Sequence, residues 1–470
     1  MDVPQFLQEF DKYRTVIFIS VITLPLIFIV LEVRKSVMIS RFFNFWKSLK
    51  QASSTPKIPP EVTKTQDGTL IGFKNNKPVF IADNCRHVFV CGTTGSGKTV
   101  ALSNFIKRGI DKNYPMLIVD GKGDTGNGSI LEITKQLCKK QNLYIVSLSN
   151  PDTSTRYNPF KNASPTMCKD MLINMTDWSE EHYKLNTERY LQRLIILLQQ
   201  NQIPLSFQTI IQHMSIDNFK DLSSTLLKQE IISKQEHLLN LETAKTSGDI
   251  AQSAAARFST ILESDFGSIF DENGIDIYTA IQENAVILFI LNPLLYPEIS
   301  PLFGRLLLID AKQAINKCFK NRIERAFYLF DEINSYASPT LIDLVNKSRS
   351  ANITSILATQ SLSDLDFAVN QAFKEQIIEN TNNYIVLRQN SAVNAENWAN
   401  ILGTKSTLDV TYQLKQNSSF SSSETGLGSA RRVRTYYYHP DDIKTLPTGK
   451  AVFLSKDKNF HTLINVNKPF

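Results

Sequence analysis

Gly92-Thr93-Thr94-Gly95-Ser96-Gly97-Lys98-Thr99 has the residue types and spacing of a loop that wraps a polyphosphate. Its glycines let successive backbone N–H groups turn inward, Lys98 reaches the β- and γ-phosphates, and the Thr99 hydroxyl can ligate magnesium. The strand-like run His87–Cys91 precedes it and a helical stretch, Val100 to Arg108, follows, so a helix N-terminus adds its positive end to the same anion site. Further along, the apolar run Ala326–Phe330 ends in Asp331 and Glu332. In a nucleotide hydrolase the first acid holds magnesium, usually through water, and the second polarises the attacking water. Gln360 ends the run Ile353–Thr359. Its amide can report a γ-phosphate, although a helix-capping or turn glutamine fits the spacing as well. Arg349 lies between the acids and Gln360, where it can act on a neighbouring subunit's nucleotide or simply be a surface arginine. Asp120-Gly121-Lys122-Gly123-Asp124 closes the run Met116–Asp120 and reads either as part of the site or as a glycine turn.

These residues need a scaffold, and the pattern supplies one. Asp67-Gly68 and Asn75-Asn76 mark turns in a small β-rich lead-in, and from His87 strand and helix signals alternate. Met116–Asp120 and Tyr144–Leu148 are buried strands, and Ala285–Leu291, Ala326–Phe330, Ile353–Thr359 and Asn383–Leu387 extend the set, which predicts a mostly parallel sheet with right-handed crossovers. From about Asn162 to Ile281 the strand signal vanishes and helical periodicity takes over, as in Arg189–Gln200. A stretch of that length is a domain rather than a loop. Arg156–Phe160 (RYNPF) reads as a rigid turn before it. Asn417–Ala430 is low-complexity and expected to be mobile, and it runs into Arg431, Arg432 and Arg434, which are candidate nucleic-acid contacts or a solvated charge run. The predicted division is an anchor over 1–50, a nucleotide-binding domain over 51–161 and 282–470, and an all-α insertion over 162–281.

The chain has 470 residues, 42% hydrophobic and 20% charged, with a formal net charge of +6. That balance suits a globular core and permits contact with nucleic acid or anionic lipid. Five scattered cysteines suit a reducing compartment. No spacing suggests a nucleophilic triad or a histidine metal site. Thr15 to Leu31 carries no charge and reads as a single membrane-spanning helix, about 26 Å long, kinked at Pro25. Arg34, Lys35, Arg41, Lys47, Lys50 and Lys57 follow it, so the positive-inside rule places the bulk of the chain in the cytoplasm. Met38 to Trp46 can lie in the interface, and Gln51–Lys64 reads as a linker.

In order, HVFVCGTTGSGKT, IVDGKGD, RYNPF, YLFDEI, SILATQSL, NTNNYIVLR and HPDDIKTLPTGKAVFL resemble the coupling proteins of type IV secretion systems, the TraG/TraD family of conjugation ATPases. The resemblance covers about residues 65–470. It implies a RecA-like P-loop α/β domain with an inserted all-α domain and a membrane anchor in the bacterial inner membrane. It also implies a homo-oligomeric ring, usually a hexamer, that hydrolyses ATP with Mg2+. The expected partners are single- or double-stranded DNA bound without sequence preference, a relaxase and its relaxosome proteins, and the ATPase and inner-membrane components of the secretion channel. By position, Gly92 to Thr99 bind nucleotide, Thr99 and Asp331 hold the metal, and Glu332, Lys98, Gln360 and Arg349 serve catalysis, Arg349 as the finger. The inserted domain is associated with recognising cargo or its accessory proteins. Two departures stand out. Family members commonly carry two membrane helices, whereas one is evident here, and Ser348 stands where a glycine often precedes the arginine. A receptor for protein effectors and an FtsK/HerA-like DNA translocase are the alternative functions.

Overall fold

The computed structural model describes residues 68–470, apart from 176, 177, 419 and 420 and the side chains of 410–430. The expected membrane helix at 15–31, the interfacial piece and the linker lie outside the described residues. Among those described, no helix is long and apolar enough to cross a membrane.

Unbroken apolar runs form the strands because helices cover both faces of the sheet. The strands are β1 (Thr69–Lys74), β2 (Lys77–Ile81), β3 (Val88–Cys91), β4 (Met116–Asp120), β5 (Leu143–Ser147), β6 (Val286–Ile290), β7 (Ala326–Asp331), β8 (Ile353–Thr359), β9 (Asn383–Val386), β10 (Thr404–Ser418), β11 (Ser421–Tyr436), β12 (Lys450–Ser455) and β13 (Phe460–Val466). Eleven of them make one sheet in the order β2-β1-β13-β12-β9-β3-β8-β7-β4-β6-β5. From β9 to β5 every pairing is parallel. From β9 through β12, β13 and β1 to β2 every pairing is antiparallel. The sequence pattern predicted the parallel part; the lead-in hairpin and the C-terminal hairpin join the same sheet as its antiparallel flank.

Side chains alternate across the sheet. Phe89, Leu117, Phe289, Tyr328 and Leu357 point into one core, Val90, Ile118, Leu288, Leu329 and Ile356 into the other. The second core is closed by α1 (Lys98–Asp111) and α2 (Ile130–Leu137), through Leu102, Phe105, Ile130 and Leu131. The first is closed by the long middle of the chain. All named elements between Pro165 and Gln282 are helical: α3 (Pro165–Asn174), α4 (Glu181–Gln200), α5 (Phe207–Gln212), α6 (Ile216–Lys228), α7 (Lys234–Leu262) and α8 (Ile277–Gln282), with a short 3-10 turn at Gly267–Ile269. Ser164, Ser206, Ser215 and Ser233 cap four of them by accepting a backbone N–H. The apolar stripe Tyr190, Leu191, Leu194 and Leu198 of α4 belongs to the same continuous core as Phe289 and Tyr328 of the sheet. Helices α9 (Ile299–Lys320), α10 (Pro339–Ser348), α11 (Leu362–Ala368), α12 (Gln371–Asn380), α13 (Ala392–Leu402) and α14 (Pro440–Lys444) complete the fold. Asp67–Phe470 forms one compact unit.

RYNPF does more than turn the chain. The Tyr157 backbone bridges to Phe270 and Ile275, so the motif ties the start of the helical segment to its end. The Tyr157 ring packs edge-on against Phe289 and Phe303, and its hydroxyl donates to Asp310 Oδ2 at 2.7 Å. Burial, with nearby Asp276 adding to it, raises the Asp310 carboxyl well above its ordinary range.

The described residues of the segment 417–430 fall in β10 and β11, which pair antiparallel as a separate two-stranded ribbon outside the main sheet. The sequence of β10 does alternate, with Leu408, Val410, Tyr412 and Leu414 at every second position, a period-2 signal that precedes the low-complexity run.

Candidate nucleotide-binding site

Four neighbouring parallel strands end at one edge, and each delivers a candidate residue there. β3 leads into Gly92–Thr99, β8 into Gln360, β7 into Asp331 and Glu332, and β4 into Asp120. The carboxyl ends of parallel strands are where open α/β sheets hold ligands.

The loop after β3 has the backbone that its glycines permit. Gly95 and Gly97 take φ values of 74° and 106°, a region closed to most side chains. Lys98 opens α1, so the helix N-terminus faces the loop. From outside, the Thr93 N–H donates to the Arg388 carbonyl at 3.0 Å and the Gly449 N–H to the Ser96 carbonyl at 3.1 Å. The Thr448 hydroxyl donates to the Gly95 carbonyl at 3.2 Å, and the Asn390 amide to Thr93 Oγ1 at 3.3 Å. Sequence reasoning missed these four supporting residues. The only signal was their position in the quoted segments NTNNYIVLR and LPTGK or just after one of them, following β9, which pairs with β3, or just before β12, one strand further on.

Lys98 Nζ lies 2.5 Å from Glu332 Oε1, with both side chains nearly buried at 10% and 8% exposure. The Gln360 amide donates to the same Glu332 oxygen at 3.2 Å, and Thr94 Oγ1 donates to Gln360 Oε1 at 3.2 Å. Thr94, Gln360, Glu332 and Lys98 therefore form one chain of contacts across three strand ends. Gln360 immediately precedes Ser361, which caps α11, so the amide is free of the capping role. Glu332 holds φ 46° and ψ 52°, a left-handed conformation costing a non-glycine residue about 1–2 kcal/mol. That backbone turns the carboxylate out of the line of β7 and back toward the loop.

Asp331 and Asp120 stand opposite each other in the β4–β7 register. Burial pushes the Asp331 carboxyl up to about 7 and the Asp120 carboxyl up to about 6. Asp120 Oδ1 accepts the N–H groups of Lys122 at 2.9 Å and Gly123 at 3.2 Å, which gives the DGKGD motif a turn-forming role. Asp331 Oδ1 and Glu332 Oε2 are buried without a hydrogen-bond partner. Orphaned carboxylate oxygens beside a phosphate loop fit a magnesium–nucleotide complex, because a hydrated cation would satisfy them. Thr99 lies on the first turn of α1 at the same end of the sheet.

Arg349 is not brought to this edge. It occupies a 3-10 turn, Arg349–Ala351, before β8, so the strand's seven residues (roughly 23 Å) separate it from Gln360. There it lines small cavities with Cys85, Arg86, Asp457 and Lys458 and with Arg325. The arginine is thus a strand's length away from the nucleotide loop of its own chain.

Two family models match. "TraM recognition site of TraD and TraG" matches residues 325–448, and "Helicase HerA, central domain" matches residues 68–282. Among solved structures, the unbound conjugative coupling protein TrwB aligns with a TM-score of 0.59 at 15% identity, covering 87% of this chain and 92% of that one. TrwB in complex with ADP and Mg2+ aligns with a TM-score of 0.56 at 16% identity, covering 87% and 91%. Residues 325–448 thus carry the signature of the TraD/TraG recognition region, and the chain shares the fold of the conjugative coupling protein TrwB. VirB4 of Thermoanaerobacter pseudethanolicus shares the fold at a TM-score of 0.54 and 13% identity, covering 86% of this chain and 97% of that chain. An uncharacterised protein of Mycoplasma pneumoniae is 29% identical over 134 residues, spanning 28% of this chain and 84% of the relative.

Proposed function

We propose that this protein is a coupling ATPase that delivers relaxase-bound single-stranded DNA to a type IV secretion channel in conjugation. The observation that carries the reading is the set Lys98–Glu332–Gln360–Thr94, closed around a glycine loop with two orphaned carboxylate oxygens. Bound Mg2+ would supply charge neutralisation at the β- and γ-phosphates. Gly92 to Thr99 would cradle the nucleotide, with Thr99 and Asp331 as the metal-holding residues. Lys98 would exchange Glu332 for phosphate oxygens, which frees the Glu332 carboxylate to orient water. Gln360, bonded to both the loop and Glu332, would pass the state of the γ-phosphate to α11. Arg349 would complete a neighbour's site in a ring, a hexamer by the family resemblance. The nucleotide in TrwB structures and the HerA match support the hydrolase reading.

The expected single membrane helix at 15–31 would anchor the chain in the inner membrane with its bulk in the cytoplasm. The helical segment 162–281 would be the cargo-facing domain, and the partners would be DNA, relaxosome proteins and the channel's inner-membrane machinery. The test is ATP hydrolysis by the purified chain with and without single-stranded DNA, beside Lys98→Ala. Turnover should rise with DNA and disappear in the variant. Unchanged turnover in Lys98→Ala would overturn the site, and wild-type turnover indifferent to DNA would favour the effector-receptor reading.

A further inference from the structure

β10 has 15 residues and β11 has 16, which makes the ribbon about 50 Å long. It leaves the body between Gly403 and Tyr437, where the Tyr437 N–H donates to the Gly403 carbonyl at 3.0 Å. Its strands belong to no larger sheet. From 404 to 436 the sequence has five basic residues (Lys405, Lys415, Arg431, Arg432, Arg434) and two acidic ones (Asp409, Glu424), a net +3.

The register sorts the charges of the ribbon's base between its two faces. Residues directly opposite share a face, and alternate residues along a strand share it too. Arg431 stands opposite Asp409, so its charge meets a counter-charge on its own face, the face of Lys405 and Thr407. Arg432 stands opposite Leu408 and Arg434 opposite Ser406. Their face carries no acid over Thr404–Asp409 and Arg431–Tyr436. Arg432 and Arg434 are both exposed, roughly 7 Å apart along the strand, a spacing that successive backbone phosphates can match. Tyr436 continues the same face at the body of the protein.

The ribbon also joins two segments that touch the nucleotide loop. Asn390, which bonds Thr93, lies just before α13 and β10; Thr448 and Gly449, which bond Gly95 and Ser96, lie just after β11 and α14. A load on the ribbon therefore pulls on both outer supports of Gly92–Thr99.

We infer that the Arg432–Arg434 face of this ribbon is a backbone-binding surface for single-stranded nucleic acid, and that its occupancy is transmitted to the nucleotide loop through Asn390 and Thr448–Gly449. This rests on the DNA-cargo reading above. Charge complementarity favours that occupant, because two guanidinium groups with no acid facing them suit a polyanion, and exposed Leu408 and half-buried Tyr436 beside them offer apolar surface to bases.

The test is the affinity of the full chain for a fluorescent oligonucleotide across a range of salt concentrations, for wild type, Arg432→Gln/Arg434→Gln and Arg431→Gln. Each phosphate contact on a single strand contributes about 0.7 to the slope of log affinity against log salt, so the double variant should lose about 1.4. Arg431→Gln should lose less than half of that. DNA stimulation of hydrolysis should fall in the double variant while its unfolding temperature matches wild type. A double variant that folds and keeps the wild-type slope would overturn the ribbon assignment and leave the cargo reading standing. A wild-type chain without oligonucleotide affinity would overturn both.

Discussion

The two ends of the parallel strands are built in opposite ways. At the carboxyl edge, Asp331 Oδ1 and Glu332 Oε2 are buried without partners, and Lys98 leans on a single carboxylate oxygen. At the amino edge, Asp83 is saturated. Its carboxylate accepts from Thr69 at 3.0 Å and Arg108 Nε at 2.7 Å, and its carbonyl accepts from Arg325 at 3.0 Å and Thr354 at 2.7 Å. There too, Nδ1 of buried His87 accepts the Ser355 N–H at 3.0 Å. One edge is left polar and incomplete, which costs stability and suits a ligand. The other is closed by its own side chains and holds the sheet together.

Substitutions at the two edges should therefore fail differently. The largest effect belongs to the carboxyl edge. Lys98→Ala and Glu332→Gln should each lower turnover by at least about 10²–10³-fold, the scale of removing one positioned charge or donor, with Glu332→Gln still binding nucleotide. Wild-type turnover in Glu332→Gln would assign the water-orienting role elsewhere. At the amino edge, Asp83→Ala breaks a buried ion pair and should cost about 3–5 kcal/mol in denaturant unfolding. The turnover of the fraction that stays folded should not change, and a loss per folded molecule would erase the distinction between the edges.

His87 sharpens the comparison through pH. Burial lowers its pKa from 6.5 to about 4, so the native state binds fewer protons than the unfolded chain between those values. Stability should then fall as pH drops from 6.5 to 4, by about 3 kcal/mol from this group. His87→Asn keeps an acceptor, tolerates the φ of 46° and should abolish that part of the acid loss. Parallel stability–pH curves for the two proteins would disprove the assignment. The smallest effect on the isolated chain is expected at exposed Arg349, where Arg349→Ala should change stability by less than about 0.5 kcal/mol. Its turnover defect should appear only in assembled protein, and mixing it with Glu332→Gln subunits should restore part of the activity. Equal turnover of variant and wild type at every protein concentration would remove Arg349 from the mechanism.

The separation of the edges was partly legible beforehand. Gly92–Thr99, Asp331, Glu332 and Gln360 could be read because each closes an apolar run, and parallel strands put run ends on one edge. The place of Arg349 at the start of β8 follows from the same rule. The tie between Lys98 and Glu332 could not be read, since the two are 234 residues apart. Nor could the Tyr157–Asp310 bond, which links RYNPF to a helix 153 residues later. The ribbon was missed for a different reason: Leu408, Val410, Tyr412 and Leu414 alternate in β10, but its partner strand begins in a Ser- and Gly-rich run without that period.

The order of nucleotide-site elements, the parallel half of the sheet and the helical character of the middle of the chain were set by local residue pattern. Loop glycines, apolar run lengths and helical spacing act within a few residues, so they can be read from a single sequence. Only the folded chain decided that Arg388, Asn390, Thr448 and Gly449 would grip the loop, and that the sheet would gain an antiparallel flank. It also decided that Arg432 and Arg434 would share a face without a counter-charge. Those relations depend on which distant segments become neighbours, and neighbour choice is fixed by burying the whole core at once.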